Sequence, residues 1–359
     1  MDGYNSSVNF SFWMDRVLIS YTNLRTDAVH EEELPVDLII AIFDSTKGPV
    51  VHSSTRPLAK SKIAASMFPA KWQHNAHFIF KVSEFFVYTV CILPKNLFTS
   101  RGNLQISVGL AAHKPSFCQK HFEFLKRASE VITEARSLQI GSLTPILTEL
   151  NISTYYSPIV SLMPHPFPNL VPRVTAFSQD PGSIVKLWKA RLLGLRILVT
   201  GSGSLQEATQ LAYLAAVVGC PFREITECCF HVSLSDALYL NEGDWRVAAV
   251  THPILETTNN YDAKLTEGRI SFKSQFKWIE RGHGELYDWV AGDVSRRNPQ
   301  GVITTLINFN QRLQNVIGNS DLMTVSVLDE LGINVSDKDF IESFVLSQKP
   351  SMKFEFGCC

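Results

Sequence analysis

Between Ser183 and Gly219 the spacing of apolar positions changes twice. Ile184, Leu187, Trp188, Arg191 and Leu192 recur at i, i+3, i+4 and predict a helix that Gly194 is placed to end. Its Trp188 face is expected to point at the following strand, Arg196 to Thr200. Gly201, Ser202 and Gly203 then turn the chain, and Ser204 with Glu207 forms a capping box, because serine oxygen and glutamate carboxylate satisfy the first free amides of a helix. That helix runs to about Val218. Leu205, Ala208, Leu211, Ala212, Leu214, Ala215, Val217 and Val218 make it apolar almost all round, so it is expected to be buried.

Upstream, the period is that of strands. Residues 1–35 are polar and close on Glu31, Glu32 and Glu33, a solvated lead-in. Strands are expected at Val36 to Phe43, after a turn at Lys47, Gly48 and Pro49 from Val50 to His52, and at His77 to Val82, Phe85 to Leu93 and Leu104 to Leu110. A helical piece near Ala59 to Met67 interrupts them. Ser116 and Gln119 form a second capping pair, opening a helix whose buried stripe is Phe117, His121, Phe124, Leu125, Ala128, Val131 and Ile132. From Ser137 to Pro172 the prolines at 145, 158, 164, 166, 168 and 172 exclude regular elements, so this stretch reads as a linker.

Downstream of the two central helices, Arg269 to Lys273 alternates apolar and polar after Gly268, as a hairpin strand would. Val302, Leu306, Phe309, Leu313 and Val316 lie on one helix face, and two short helices follow, one ending at Gly332 and one capped by Ser336. The fold class implied is mixed α/β: an antiparallel sheet with helices over residues 36–136, a linker over 137–172, an α/β lobe over 173–280, a helical segment over 281–350 and a tail over 351–359. Two lobes are expected, with Val36 to Leu110 and Arg196 to Val250 in separate sheets.

Composition narrows the function. A chain of 359 residues with net charge −1 can bury one large or two ordinary cores, with two lobes the default, and carries no electrostatic footprint for nucleic acid. No apolar run approaches membrane-spanning length, and the start of the chain lacks a basic segment followed by an apolar one, so the reading is a cytoplasmic protein without a secretory signal. The sequons at Asn5, Asn151 and Asn334 are then chance matches. Seven cysteines occur without a C-x-x-C pair. Cys91, Cys118 and Cys220 read as core residues, and the adjacent Cys228 and Cys229 point to opposite faces of a strand, which argues against a shared metal.

Candidate chemistry is sparse. The strand-to-helix turn at Gly201 and Gly203 resembles a phosphate cradle, yet neither the G-x-G-x-x-G spacing nor a P-loop lysine is there, so a nicotinamide-dependent oxidoreductase stands third among the readings. No G-x-S-x-G elbow exists. His231, Asp236 and His252 read as strand and turn residues, His165 as a loop residue and His283 as a turn. No catalytic constellation, metal or cofactor is expected. Ser235 and Asp236 follow a strand end, where they can cap a helix or serve as contacts.

The same segments, in order, resemble a DENN domain. LIIAIFDSTKGPVVH (Leu38 to His52) and FIFKVSEFFVYTVCILP (Phe78 to Pro94) look like the strands of its N-terminal longin-like module. A helix with tryptophan near its middle before RILVT looks like its centre, and CCFHVSLSDALYL (Cys228 to Leu240) and VTHPILETTNNYDAKL (Val250 to Leu265) look like its later strands. The LCHN-type DENN proteins are the nearest subtype, with GINVSDKDF near the end and a terminal Cys358 and Cys359 that also resembles the prenylated tails of Rab GTPases. The blander reading of those two cysteines is a tail with exposed thiols. The helical end fits the family least.

The resemblance implies a guanine nucleotide exchange factor for a Rab-type small GTPase in membrane trafficking, cytoplasmic and recruited peripherally to endomembranes. It implies a GTPase held across both lobes and room for a second longin or DENN protein as partner; Ser235 and Asp236, by their place after a strand end, are the candidate contacts in the second lobe. The alternative from another class is a trafficking scaffold that binds a partner without favouring an empty GTPase.

Overall fold

The computed structural model describes residues 37–54, 60–99, 102–113, 122–134, 171–280, 285–334 and 337–356. The lead-in, the Ser116 and Gln119 pair, most of the proline-rich segment with His165, and His283, Ser336, Cys118, Cys358 and Cys359 lie outside those residues.

In the first half, β1 (Asp37–Asp44) and β2 (Gly48–Ser54) form a hairpin whose turn needs the left-handed φ of 75° at Gly48. Then come α1 (Lys60–Ser66), β3 (His77–Val82), β4 (Phe85–Ile92), the short pair β5 (Phe98–Thr99) and β6 (Gly102–Asn103), β7 (Ile106–Ala112) and α2 (Phe122–Glu134). β1 pairs antiparallel with β2 and β7, β7 with β4, and β4 with β3. Leu125, Ala128 and Ile132 of α2 are buried against this sheet, whereas Val131, expected in the same stripe, is exposed at the edge of the helix.

The second half begins with α3 (Val171–Thr175) and α4 (Gly182–Leu192), which Gly194 terminates at φ 69°. β8 (Ile197–Val199), α5 (Leu205–Val217), β9 (Cys228–His231), α6 (Ala237–Glu242), β10 (Val247–Ala249), α7 (Pro253–Glu256), β11 (Ala263–Thr266) and β12 (Arg269–Phe272) follow. The C-terminal part comprises α8 (Glu285–Ser295), α9 (Pro299–Asn319), β13 (Leu322–Thr324), α10 (Val325–Leu331), α11 (Lys338–Gln348) and β14 (Lys353–Glu355). β8 is parallel to both β10 and β11, and β10 to β9, while β12 returns antiparallel on β11. The expected capping box of α5 is formed: the Glu207 amide donates to Ser204 Oγ at 3.2 Å and the Ser204 amide to Glu207 Oε2 at 3.1 Å.

The two halves do not keep separate sheets. One ten-stranded sheet runs in the order β12-β11-β8-β10-β9-β3-β4-β7-β1-β2, contrary to the expectation of two. β3 and β9 are each the edge of their own half, and an unpaired edge exposes backbone donors and acceptors that a neighbouring strand can take. The join is narrow, a single residue pairing of Phe80 with His231. Lys71 Nζ donates to the Ser202 carbonyl at 2.7 Å and Lys81 Nζ to the Thr226 carbonyl at 2.9 Å, tying the halves on either side of it.

Helices cover both faces. α2, α4, α5 and the C-terminal helices pack on one, with Cys228, Phe230 and Val247. α6 and α7 pack on the other with Leu240, Trp245 and Leu255 against Leu198, Cys229 and Ala248, so Cys228 and Cys229 do face opposite ways. α1 covers the first half with Ile63 and Met67.

Trp188 is buried as expected, but its direction differs from the expectation. Its ring meets Phe309 of α9 edge-on at 5.2 Å and Phe340 of α11 at 5.3 Å, and its Nε1 donates to Asn310 Oδ1 at 2.7 Å. Thus α4 presents Trp188 to the C-terminal helices, because the apolar stripe of α9 needs a partner as much as the strand does. Asn310 in turn donates to the carbonyls of Val218 and Cys220 at 3.1 and 2.7 Å, binding α9 to the end of α5.

Candidate functional site at the seam of the sheet

In parallel α/β sheets, ligands and partners are met at the carboxyl ends of the strands. Here β8, β10 and β9 bring Thr200 to Ser204, Thr251 to His252 and Val232 to Asp236 to one end of the sheet. The first and last of these segments also touch the first half of the chain, through Lys71 on the Ser202 carbonyl and Ser66 on Asp236, and the last does so through side chains of both halves.

The residues Leu234–Asp236 form a 3-10 turn between β9 and α6. Asp236 Oδ2 accepts three hydroxyls: Ser66 of α1 at 2.8 Å, Ser233 at 2.8 Å and Ser235 at 3.2 Å. Ser233 and Ser235 lie 2.6 Å apart, oxygen to oxygen. Ser66 and Ser233 are buried and Ser235 is exposed. The structure therefore brings Ser235 and Asp236 together and adds Ser66 and Ser233. The capping alternative fails for Asp236, whose side chain makes no hydrogen bond to the α6 backbone. It is spent instead on a contact across 170 residues of sequence, with Ser66.

Apolar side chains surround this polar knot. Leu234, Leu238 and Tyr239 are 46, 72 and 40% exposed, while Leu240 and Trp245 anchor α6 beneath them. Trp245 Nε1 is satisfied by the Leu240 carbonyl at 3.0 Å. On the α1 side, Phe68 meets the exposed Phe43 edge-on at 5.8 Å and stacks on Trp72 at 6.1 Å. Sequence reading missed Leu234, Leu238 and Tyr239. A helix of six residues cannot bury every apolar residue in LSDALYL, which was a usable signal, although it does not say that Leu240 is the one buried.

The histidines are structural. His252 Nδ1 accepts from the Ile254 amide at 3.2 Å and caps α7. His231 lies 3.1 Å from Thr251 Oγ1, with the Phe78 ring edge-on at 5.9 Å, and burial pushes its imidazole down from 6.5 to about 3. Burial likewise lowers His77 to about 4. Both are neutral when folded, and the unfolded chain binds their protons below the ordinary value of 6.5. Stability is then expected to fall with decreasing pH, by about 1.4 kcal/mol per unit for His231 as pH drops from 6.5 toward 3. Urea unfolding at pH 7.0, 5.5 and 4.5 checks this, with a His231→Gln variant losing part of the slope; equal slopes in both proteins would refute the assignment.

The helix start at Gly201 to Ser204 is occupied by the protein itself. Gly201 supplies φ 71°, and the Glu207 carboxylate lies against the first amides, held by Arg173 Nη2 at 3.2 Å while Nη1 holds Glu267 at 2.9 Å. A phosphate arriving there would meet that carboxylate, so the geometry disfavours a dinucleotide. Burial raises the thiols of Cys91, Cys220 and Cys229 to about 12 and that of Cys228 in the same direction, keeping them protonated. Among the described residues no group of three His, Cys, Asp or Glu could hold a metal ion, and no helix is long and apolar enough to cross a membrane.

The chain matches no protein-family model and no curated protein.

Proposed function

We propose that the protein is a guanine nucleotide exchange factor for a Rab-type small GTPase, acting in the cytoplasm at endomembrane surfaces. The observation that carries this reading is the order of elements. Two strands, a helix, three further sheet strands and a closing helix make the longin-like pattern, and an α/β lobe with the DENN-like strand segments is joined to it edge to edge. The seam supports it too: Ser235 and Asp236 lie among exposed Leu234, Leu238 and Tyr239, where a partner can touch both halves. An exchange factor needs no bond chemistry. It speeds GDP release by binding the nucleotide-free GTPase more tightly than the GDP-bound form.

The test is retention of a Rab panel on the immobilised chain, each GTPase presented once stripped of nucleotide with chelator and once loaded with GDP. Selective retention of the stripped form, reversed by excess GDP, is expected for one member or a small group. Leu238→Asp should weaken that retention by about tenfold, the scale of an interface anchor, without shifting the thermal midpoint, since the side chain is mostly in solvent. Equal retention of both nucleotide states would favour the scaffold instead. That reading has one observation of its own, the position of β2 at the open edge of the sheet, where a second longin-type module could add a strand.

A further inference from the structure

The seam has the features of a latch. Among the described residues only Phe80 and His231 pair strand to strand across it, the residue before His231 is strained, and the adjoining strand is irregular. Phe230 has φ 59°, a left-handed backbone that a bulky residue rarely adopts, and it is pinned by Tyr213 and Phe86 rings at 6.4 and 6.1 Å. Opposite β10 the register slips between Cys228 and Phe230, leaving Cys229 bulged. Strain of this kind persists only where surrounding contacts enforce it, and it collects at switch regions. The contact that closes the seam on the α1 side is the Asp236 carboxylate with its three neutral hydroxyl donors, one of them Ser66.

We propose that Ser235 is a phosphate-acceptor residue, and that a phosphoryl group placed on it by a protein kinase opens the latch between α1 and the turn after β9. Ser235 is the exposed member of the knot, on a short turn that a kinase can reach, while Ser66 and Ser233 are covered. In the transfer, Ser235 Oγ forms a bond to the γ-phosphorus of ATP as the bond from that phosphorus to the bridging oxygen breaks. The hydroxyl proton passes to the kinase's base and ADP leaves. The product exchanges a hydrogen-bond donor, 3.2 Å from Asp236 Oδ2 and 2.6 Å from Ser233 Oγ, for a group of nearly two negative charges. Repulsion turns the carboxylate away, and Ser66 and Ser233 lose their shared acceptor. The α1 side of the seam then loses its carboxylate link, while the Phe80–His231 pairing and the Lys71 and Lys81 hydrogen bonds still join the halves. The inference does not depend on the exchange-factor reading.

The test uses the full chain produced in eukaryotic cells with phosphatase inhibitors. Peptide mapping is expected to find phosphate on Ser235, removable by phosphatase and absent from Ser235→Ala. Amide exchange then compares the phosphorylated chain with its phosphatase-treated form, which needs no variant to fold. Residues 62–68 and 228–236 should exchange roughly tenfold faster when phosphorylated, while α4 and α9 are unchanged. Ser235→Glu should reproduce the effect, and Ser235→Glu with Asp236→Asn should return protection toward the starting level, because the amide oxygen still accepts from Ser66 without the charge. An unphosphorylated Ser235, or identical exchange in the phosphorylated and treated chains, would overturn the proposal.

Discussion

Trp188→Ala is expected to lower stability by about 3–5 kcal/mol, the range for deleting a large buried ring. The residue is 2% exposed, and its loss empties the space between α4, Phe309 and Phe340. It also leaves buried Asn310 Oδ1 without its donor, a penalty on top of the cavity. Trp188→Phe keeps most of the packing and drops only the indole N–H, so it should cost closer to 1 kcal/mol. Because Asn310 also holds the carbonyls of Val218 and Cys220, the alanine variant should loosen α9 first. Chemical denaturation of both variants, with amide exchange in α9, measures this. An alanine variant as stable as the parent would show that the C-terminal helices do not dock through Trp188.

Lys189→Met carries the second large effect. Lys189 and Asp337 form an ion pair between α4 and the start of α11, with side chains 2 and 8% exposed, and the ammonium also lies 5.6 Å from the Phe340 ring centre. Burial drives the Lys189 pKa down, and Asp337 opposes that drift. Methionine fills the space but strands the carboxylate, at a cost of about 3–5 kcal/mol for a buried charge left unpaired. The pair as a whole contributes far less than that. Lys189→Met combined with Asp337→Leu should therefore recover most of the loss, since a buried ion pair and a well-packed apolar pair are often close in stability. Denaturation midpoints of the two single variants and the double variant test it; a double variant as unstable as Lys189→Met alone would mean that the charge imbalance is not the cause.

Much of the local structure was legible because its causes are local. Ser204 and Glu207 stand at capping distance, Gly194, Gly201, Gly268 and Gly332 take left-handed φ where elements end or turn, and in β12 Ile270 and Phe272 are buried while Arg269 and Ser271 are exposed, following the alternation in its sequence. Val302, Leu306, Phe309 and Leu313 form a buried face of α9 for the same reason. What escaped reading depends on encounters between distant segments. The joining of two sheets rests on Phe80 meeting His231, and neither strand's pattern differs from that of an ordinary edge. Trp188 could face β8 or α9, and only the packing of the C-terminal helices decides. Ser235 and Asp236 could be placed after a strand, but the third partner of the carboxylate is Ser66, in a helix whose own periodicity says nothing of a polar contact.

The exchange-factor reading is tested most directly by the rate at which fluorescent GDP leaves each Rab-type GTPase as the full chain is titrated in, with unlabelled GTP in excess. Release from at least one GTPase should accelerate in proportion to the concentration of the chain, and Leu238→Asp, at the exposed edge of the seam, should flatten that slope while remaining folded. A folded chain that leaves GDP release unchanged across the whole panel would contradict it.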